Sequence, residues 1–172
     1  MILNLKLVKV DVDYCDYLRQ FDYRVVYNKN SKELRPFVGV LFTIRNMEYF
    51  APLSSPKIKH LKMKNTIDFY KLDGGKLGAI NFNNMIPVRK ENYKLIDFDK
   101  KTSNIEELKY NNLLKEQLLW LNKYEDEILS KSYKLYYLYL NNRLTPNIKN
   151  RCCNFPLLEE KCFEYKKELV NN

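Results

Sequence analysis

The sequence predicts an α+β fold, a small twisted antiparallel sheet of barrel-like form followed by a long helical segment. Two observations carry this. Up to about residue 99 the apolar residues come in short runs rich in Val, Ile, Phe and Tyr, separated by turn-forming residues, as short strands do. Beyond Asp99 the apolar spacing changes to that of a helix face. Neither a repeat nor a linker interrupts the chain. One domain over 1–172 is therefore expected, β-rich over about 1–99 and helical over about 100–172, with the helices packed on the sheet.

Leu5 to Val12 alternates apolar and polar residues and reads as an opening strand. Asp13 reads as an N-cap, with Tyr14, Tyr17, Leu18 and Phe21 at helical spacing after it. Residues 22–35 have no period and read as a loop. Phe37–Ile44 reads as one buried strand, and Arg45-Asn46 as a hairpin turn into Tyr49–Leu53. Ile67–Leu72 and Leu77–Phe82 flank Asp73-Gly74-Gly75, whose glycines supply positive φ for a tight turn. Met85–Val88 and Tyr93–Phe98 are further short strands. Gly39 and Gly78 interrupt strand patterns, which marks a bend or a close approach.

In the helical part, Ser103 with Glu106 three residues later reads as a capping box opening a helix over about Ser103–Asn122. A second helix spans about Tyr124–Asn142 and ends at Thr145-Pro146. Asn154 caps a third, with Pro156 tolerated in its first turn and Glu159-Glu160 suited to the N-terminal dipole. Tyr133, Tyr136, Tyr137 and Tyr139 crowd the second helix. Aromatics at that spacing either pack half-buried or stack on unpaired bases.

The balance of charge points to an anionic partner. Among 172 residues, 45% are apolar, and 30 Lys and Arg stand against 21 Asp and Glu, a formal charge of +9. Residues 1–99 hold 17 basic and 11 acidic groups, so most of the excess lies there. The cysteines, Cys15, Cys152, Cys153 and Cys162, lack the spacing of zinc ribbons or fingers and read as free, partly buried thiols of a reducing cytosol. No run is long and apolar enough for a membrane span, and Met1–Lys6 is too short and polar for a signal peptide, so a cytoplasmic protein with no membrane partner is expected. Neither a metal-ligand spacing nor a phosphate-cradling glycine loop occurs, so no metal and no cofactor is expected.

The chemistry concentrates in Tyr49-Phe50-Ala51-Pro52-Leu53-Ser54-Ser55-Pro56-Lys57. Two prolines fix φ on either side of Ser54 and Ser55, so the hydroxyls and the Lys57 ammonium have few directions open to them. From Tyr49 to Ile67 there is no acid, while Lys57, Lys59, Lys62 and Lys64 fall there with His60, the sole histidine. RNA can be cut by its own 2′-hydroxyl. The protein must take the 2′ proton, protonate the leaving 5′ oxygen and stabilise the equatorial oxygens. Ser54, Ser55 and Lys57 are candidate donors, Lys57 a point charge for the phosphorane, Arg35 a bidentate phosphate ligand, and His60 one half of an acid/base pair. Lys59, Lys62 and Lys64 are candidate RNA-backbone contacts.

Taken together and in order, these segments resemble the ToxN/AbiQ family of endoribonuclease toxins. The resemblance runs nearly end to end. It rests on Tyr14-x-x-Tyr17-Leu18-x-x-Phe21-Asp22, Arg35-Pro36-Phe37-Val38-Gly39-Val40, the Tyr49–Lys57 turn, Phe69–Leu72, Leu77–Val88 and Cys153–Lys161. It implies a sheet like that of the MazF/CcdB toxins, elaborated by helices, and metal-independent cleavage leaving a 2′,3′-cyclic phosphate and a 5′-hydroxyl. It also implies an RNA antitoxin, a pseudoknot repeat that the toxin cuts from its precursor and holds in a closed ring of alternating protein and RNA. Cellular or phage RNA would be the substrate, in abortive infection. The family's catalytic positions carry over onto Ser54, Ser55 and Lys57, its basic position onto Arg35, and a position where relatives can have histidine onto His60. Some members place a tyrosine a few residues before the basic position; the nearest here is Tyr27, across an Asn28–Leu34 stretch of different spacing. Two readings from other classes use the same features: an RNA-binding module that does not cleave, and a protein-directed toxin on the same small sheet.

Overall fold

The computed structural model describes residues 4–27 and 35–165. In chain order these form β1 (Lys6–Val10), α1 (Val12–Arg19), β2 (Phe37–Gly39), β3 (Thr43–Ile44), β4 (Met47–Ser54), α2 (Ile58–Lys62), β5 (Phe69–Lys71), β6 (Ala79–Asn81), β7 (Ile86–Val88) and β8 (Tyr93–Leu95). Four helices follow: α3 (Ile105–Lys123), α4 (Glu125–Leu140), α5 (Pro146–Arg151) and α6 (Phe155–Glu164). The fold is mixed α+β around an antiparallel sheet.

β4 organises the sheet. Its first half pairs with β3 and β7, Glu48 opposite Val88 and Tyr49 opposite Pro87. Its second half pairs with β2 and β6, Val38 opposite Ala51 and Leu53 opposite Ile80. The strand thus changes partners on both sides halfway along, at Ala51-Pro52. Pro52 has no N–H to give, and the next amide, Leu53, donates to Pro36 O at 2.9 Å.

The sheet is not the closed, barrel-like form expected. Its path runs β5-β6-β4-β2-β1-β8 and ends at β5 and β8. Closure needs strands long enough to tilt and stagger around an axis. Most strands here have two or three residues, and only β4 reaches eight.

Several element boundaries also moved. Phe37–Ile44 is not one strand; it splits into β2 and β3. A Cβ at Gly39 would sit 2.6 Å from the Phe50 ring, so the close approach expected of that glycine is real, and the Phe50 ring packs where a side chain would stand. Beyond it, Leu41 N and Phe42 O still bond to Tyr49 across the break. At α1 the cap position is Asp11 rather than Asp13. At α3 the cap is Asn104, not Ser103: its Oδ1 accepts from the amides of Glu106 and Glu107, while Thr102 donates to the Glu107 carboxylate. Thr145-Pro146 opens α5 instead of merely ending the helix before it, since proline at N1 lacks only an N–H that a helix start leaves unbonded anyway. Asn154 caps α6 as expected, accepting from Leu157 N at 3.2 Å.

The core lies between the sheet and the helices, with Tyr14, Phe37, Tyr49, Phe50, Phe82 and Phe155 fully buried. Two polar clamps cross it. The hydroxyls of Tyr49 on β4 and Tyr136 on α4 both donate to Glu159 on α6, each at 2.6 Å. The buried Asp22 carboxylate accepts from Arg24 and from the backbone amide of Asn154 at 2.7 Å, which ties the chain after α1 to the start of α6. Tyr136 and Tyr139 pack against Phe155, while Tyr133 and Tyr137 are half-exposed. All four cysteines are free and fully buried. Burial pushes the Cys15 and Cys152 thiols up to about 12. Among the described residues no helix is long and apolar enough to cross a membrane.

Candidate active site

Ser54 is the last residue of β4. Its place in the sheet is set by its pairing with Ala79 on β6, and the chain must leave the sheet directly after it because Pro56 cannot donate to a ladder. The turn that follows, Ser55-Pro56-Lys57, is exposed and runs into α2, whose first amide bond is made by Lys57 O accepting from His60 N at 2.9 Å.

Two contacts hold the turn from beneath. Asn81 Nδ2 on β6 donates to Ser54 Oγ at 2.8 Å, which fixes the side chain and leaves the hydroxyl proton available to a ligand. Gly78, at φ +100°, lets the Ser54 carbonyl come close: a Cβ there would lie 2.0 Å from that oxygen. No L side chain adopts that φ without strain, and no methyl group fits in that gap.

Clefts open on both sides of the turn and share Ser54 and Lys57. The first, of about 390 Å³, brings Arg35, Ser54, Ser55 and Lys57 together with Tyr110, Leu113, Leu114 and Gln117 of α3. Arg35 enters it because β2 pairs with β4: Phe37 stands opposite Pro52, which carries the residues before β2 to the end of β4. Burial alone lowers the Arg35 guanidinium from its ordinary value. Arginine stays charged at that depth, so an anion placed beside it recovers part of the lost hydration. The second cleft, of about 350 Å³, adds Lys59, His60 and Lys64 from α2 and the loop after it to Asn81, Asn83, Asp68 and Arg151. Its acid is already matched. Asp68 accepts from Arg151 Nε at 3.0 Å and Nη2 at 2.9 Å and from Thr66 Oγ1 at 2.9 Å. The exposed cationic groups therefore dominate both clefts.

His60 is not in a surface loop. It sits buried on α2, tilted against the Phe69 ring at 5.8 Å, with its backbone against Gly75 and with Nδ1 buried without a partner. Desolvation first, then Lys57 and Lys59, lower its pKa, so at neutral pH the ring is neutral. Lys62 is exposed on α2 and lines neither cleft. Nor does Tyr27, whose ring lies under the Arg19 guanidinium at 4.4 Å. Among the described residues no group of three or more His, Cys, Asp and Glu is gathered as a metal site requires.

Sequence reasoning missed Asn81, Tyr110, Gln117 and the Asp68–Arg151 pair. Gln117 had a readable signal: it occupies the apolar stripe of α3 that also carries Tyr110, Leu114 and Leu121, where a polar residue is out of place. The Asp68–Arg151 pair spans 83 positions and left no local trace.

The family model of the ToxN toxins of type III toxin–antitoxin systems matches residues 6–162. A relative from Bacillus thuringiensis subsp. kurstaki, named Endoribonuclease ToxN, is 36% identical over 169 residues, covering 95% of this chain and 86% of its own. Another of the same name, from Pectobacterium atrosepticum, is 32% identical over 172 residues, covering 95% of each. A solved structure from a study of type III toxin–antitoxin systems, in which the toxin is selectively inhibited by a non-coding RNA pseudoknot, superposes with a TM-score of 0.79 at 35% identity, covering 96% of this chain and all of the other.

Proposed function

The chain belongs to the ToxN family of type III toxin–antitoxin toxins, and from that premise we propose that it is an endoribonuclease toxin whose cleavage centre is the Ser54–Lys57 turn. The observation that carries the reading is the convergence of Ser54, Ser55, Lys57 and Arg35 on one cleft, with the cationic second cleft continuing past the same turn. A sugar–phosphate backbone laid across the turn would meet a hydroxyl pair, an ammonium and a guanidinium at one phosphate, with Lys59, Lys64 and Arg151 for the phosphates beyond.

The 2′-hydroxyl of the substrate attacks the adjacent phosphorus in line, giving a 2′,3′-cyclic phosphate and a 5′-hydroxyl, and the step needs no metal. Ser55 and Lys57 bind the scissile phosphate and stabilise charge on its equatorial oxygens. Ser54, oriented by Asn81, positions the turn. Arg35, just before β2, adds a second cation to the same cleft. His60, a neutral ring lining the second cleft, serves as one half of an acid/base pair. The chain works as one domain. Its partner is an RNA antitoxin, by analogy with the pseudoknot that inhibits the solved relative, processed from a repeat precursor and held in a closed ring of alternating protein and RNA. Cellular or phage transcripts are the substrate, and the setting is abortive infection.

Incubating the purified protein with RNA in excess EDTA should give fragments with cyclic-phosphate and 5′-hydroxyl ends. RNA left intact, or cut only when magnesium is added, overturns the chemistry. Lys57→Ala and Ser55→Ala should each lower kcat by a factor on the order of 10²–10³, the scale of one lost oxyanion donor, and abolish toxicity in cells. Either variant remaining fully toxic removes that residue from the centre.

A further inference from the structure

One residue lining the cleft between the turn and α3 carries a buried acceptor that has no donor. Gln117 is 2% exposed, and its Nε2 donates to Leu77 O at 2.8 Å. A carbonyl can only accept, so this bond sets the orientation of the amide and makes the other atom Oε1. That Oε1 is buried and has no hydrogen-bond partner. Such a group costs folding stability unless something completes it. The rest of the cleft's α3 lining is largely apolar, Tyr110, Leu113 and Leu114, and Arg35, Ser55 and Lys57 line the same cleft. At about 390 Å³ the space falls in the size range of sites that hold small flat ligands.

We propose that this cleft seats a nucleobase of the RNA, beside the cleaved phosphate, and that Gln117 Oε1 accepts a hydrogen bond from its exocyclic amino group. The proposal rests on the turn being the cleavage centre. Any base can lie against Tyr110 and the two leucines. The lone acceptor discriminates. Adenine, cytosine and guanine carry an amino group that reaches Oε1 from the edge of the ring; uracil offers only N3–H, set between two carbonyl oxygens that approach Oε1 with it, so uracil is disfavoured. The second cleft gathers Lys57, Lys59, Lys64 and Arg151 beside Met63 and Phe69, and its cations suit the phosphates of the backbone. The enzyme would thus show the base preference set by Gln117 on the α3 side of the cut.

Cleavage of a random-sequence RNA pool, with the product ends sequenced, tests this. Uracil should be depleted at one position flanking the cut. Gln117→Met keeps the length of the side chain and removes the acceptor, and it should relax the exclusion of uracil about tenfold at that position alone. Because it also removes the donor to Leu77 O, a second pair of variants gives an independent measure. Tyr110→Ala should raise KM for the preferred RNA about tenfold with kcat nearly unchanged, and Tyr110→Phe should restore it. A wild type that accepts uracil at every flanking position, a folded Gln117→Met with an unaltered cleavage spectrum, or Tyr110→Ala with an unaltered KM overturns the proposal. Ser55→Ala separates the two levels. If it is inactive while the Gln117 and Tyr110 variants behave as wild type, only the base site falls; if it cleaves normally, the reading of the turn falls as well.

Discussion

At the scale of single residues, glycine and proline decide where the chemistry stands. Pro52 and Pro56 restrict the chain on either side of two serines, and Gly78 supplies the gap into which the Ser54 carbonyl fits. Gly78→Ala asks for a Cβ 2.0 Å from a backbone oxygen at a φ of +100°, so the turn or β6 must shift. The variant should lose about 2–4 kcal/mol of stability, the range of severe backbone clashes, measured by urea unfolding. Its residual folded fraction should cleave RNA at least tenfold more slowly, because Ser54 loses its register with Asn81. The turn and its prolines were plain in the sequence. That Gly78 lies beneath that same turn was not, since the two are 24 positions apart and meet only through the β4–β6 pairing.

At the scale of elements, the short helix α2 is held by one imidazole. His60 is its buried residue, wedged between Phe69 and Gly75, and its pKa is lowered from the ordinary 6.5 by desolvation and by two neighbouring lysines. The sign follows from proton counting. Above 6.5 both folded and unfolded chains carry a neutral ring, and His60 contributes nothing to pH dependence. Below 6.5 the unfolded chain binds a proton that the folded one resists, so stability falls as the pH drops toward the folded pKa and levels off beneath it. Thermal midpoints recorded between pH 7.5 and 5 should decline in the wild type and decline less in His60→Gln. Parallel curves would show that α2 is held otherwise. The existence of each long helix was legible from its period, whereas the starts were misread by one or two residues at α1 and α3. Asp, Asn, Ser and Thr cluster at those starts, and any of them can cap. Which one does depends on the direction from which the chain arrives.

For the whole molecule, a charge of +9 and clefts whose one acid is already paired give a field that draws RNA. Binding to a non-cleavable RNA should weaken linearly in log Kd against log salt, as counterions are released from phosphate. Lys59→Ala and Lys64→Ala should each reduce that slope by about 0.7–1, the yield of one lost phosphate contact, and weaken all sequences alike. Lys62→Ala, which lines neither cleft, should change the slope least. A larger effect at Lys62 than at Lys59 would move the RNA path off the grooves described.

Local patterns in the chain were enough to declare a β-rich first part, two long helices, a capped third one and a stiff hydroxyl–lysine turn, because periodicity, proline geometry and capping act over a few residues. Three features were decided by packing alone. β4 serves two sets of partners, so the sheet ends in edges instead of closing. His60 turns inward. α3 lies across from the turn and brings Gln117 and Tyr110 to it from some 60 positions away. None of these follows from neighbouring residues, because each is a contact between distant segments, selected by which apolar surfaces can be buried together and which polar atoms are then left needing a partner.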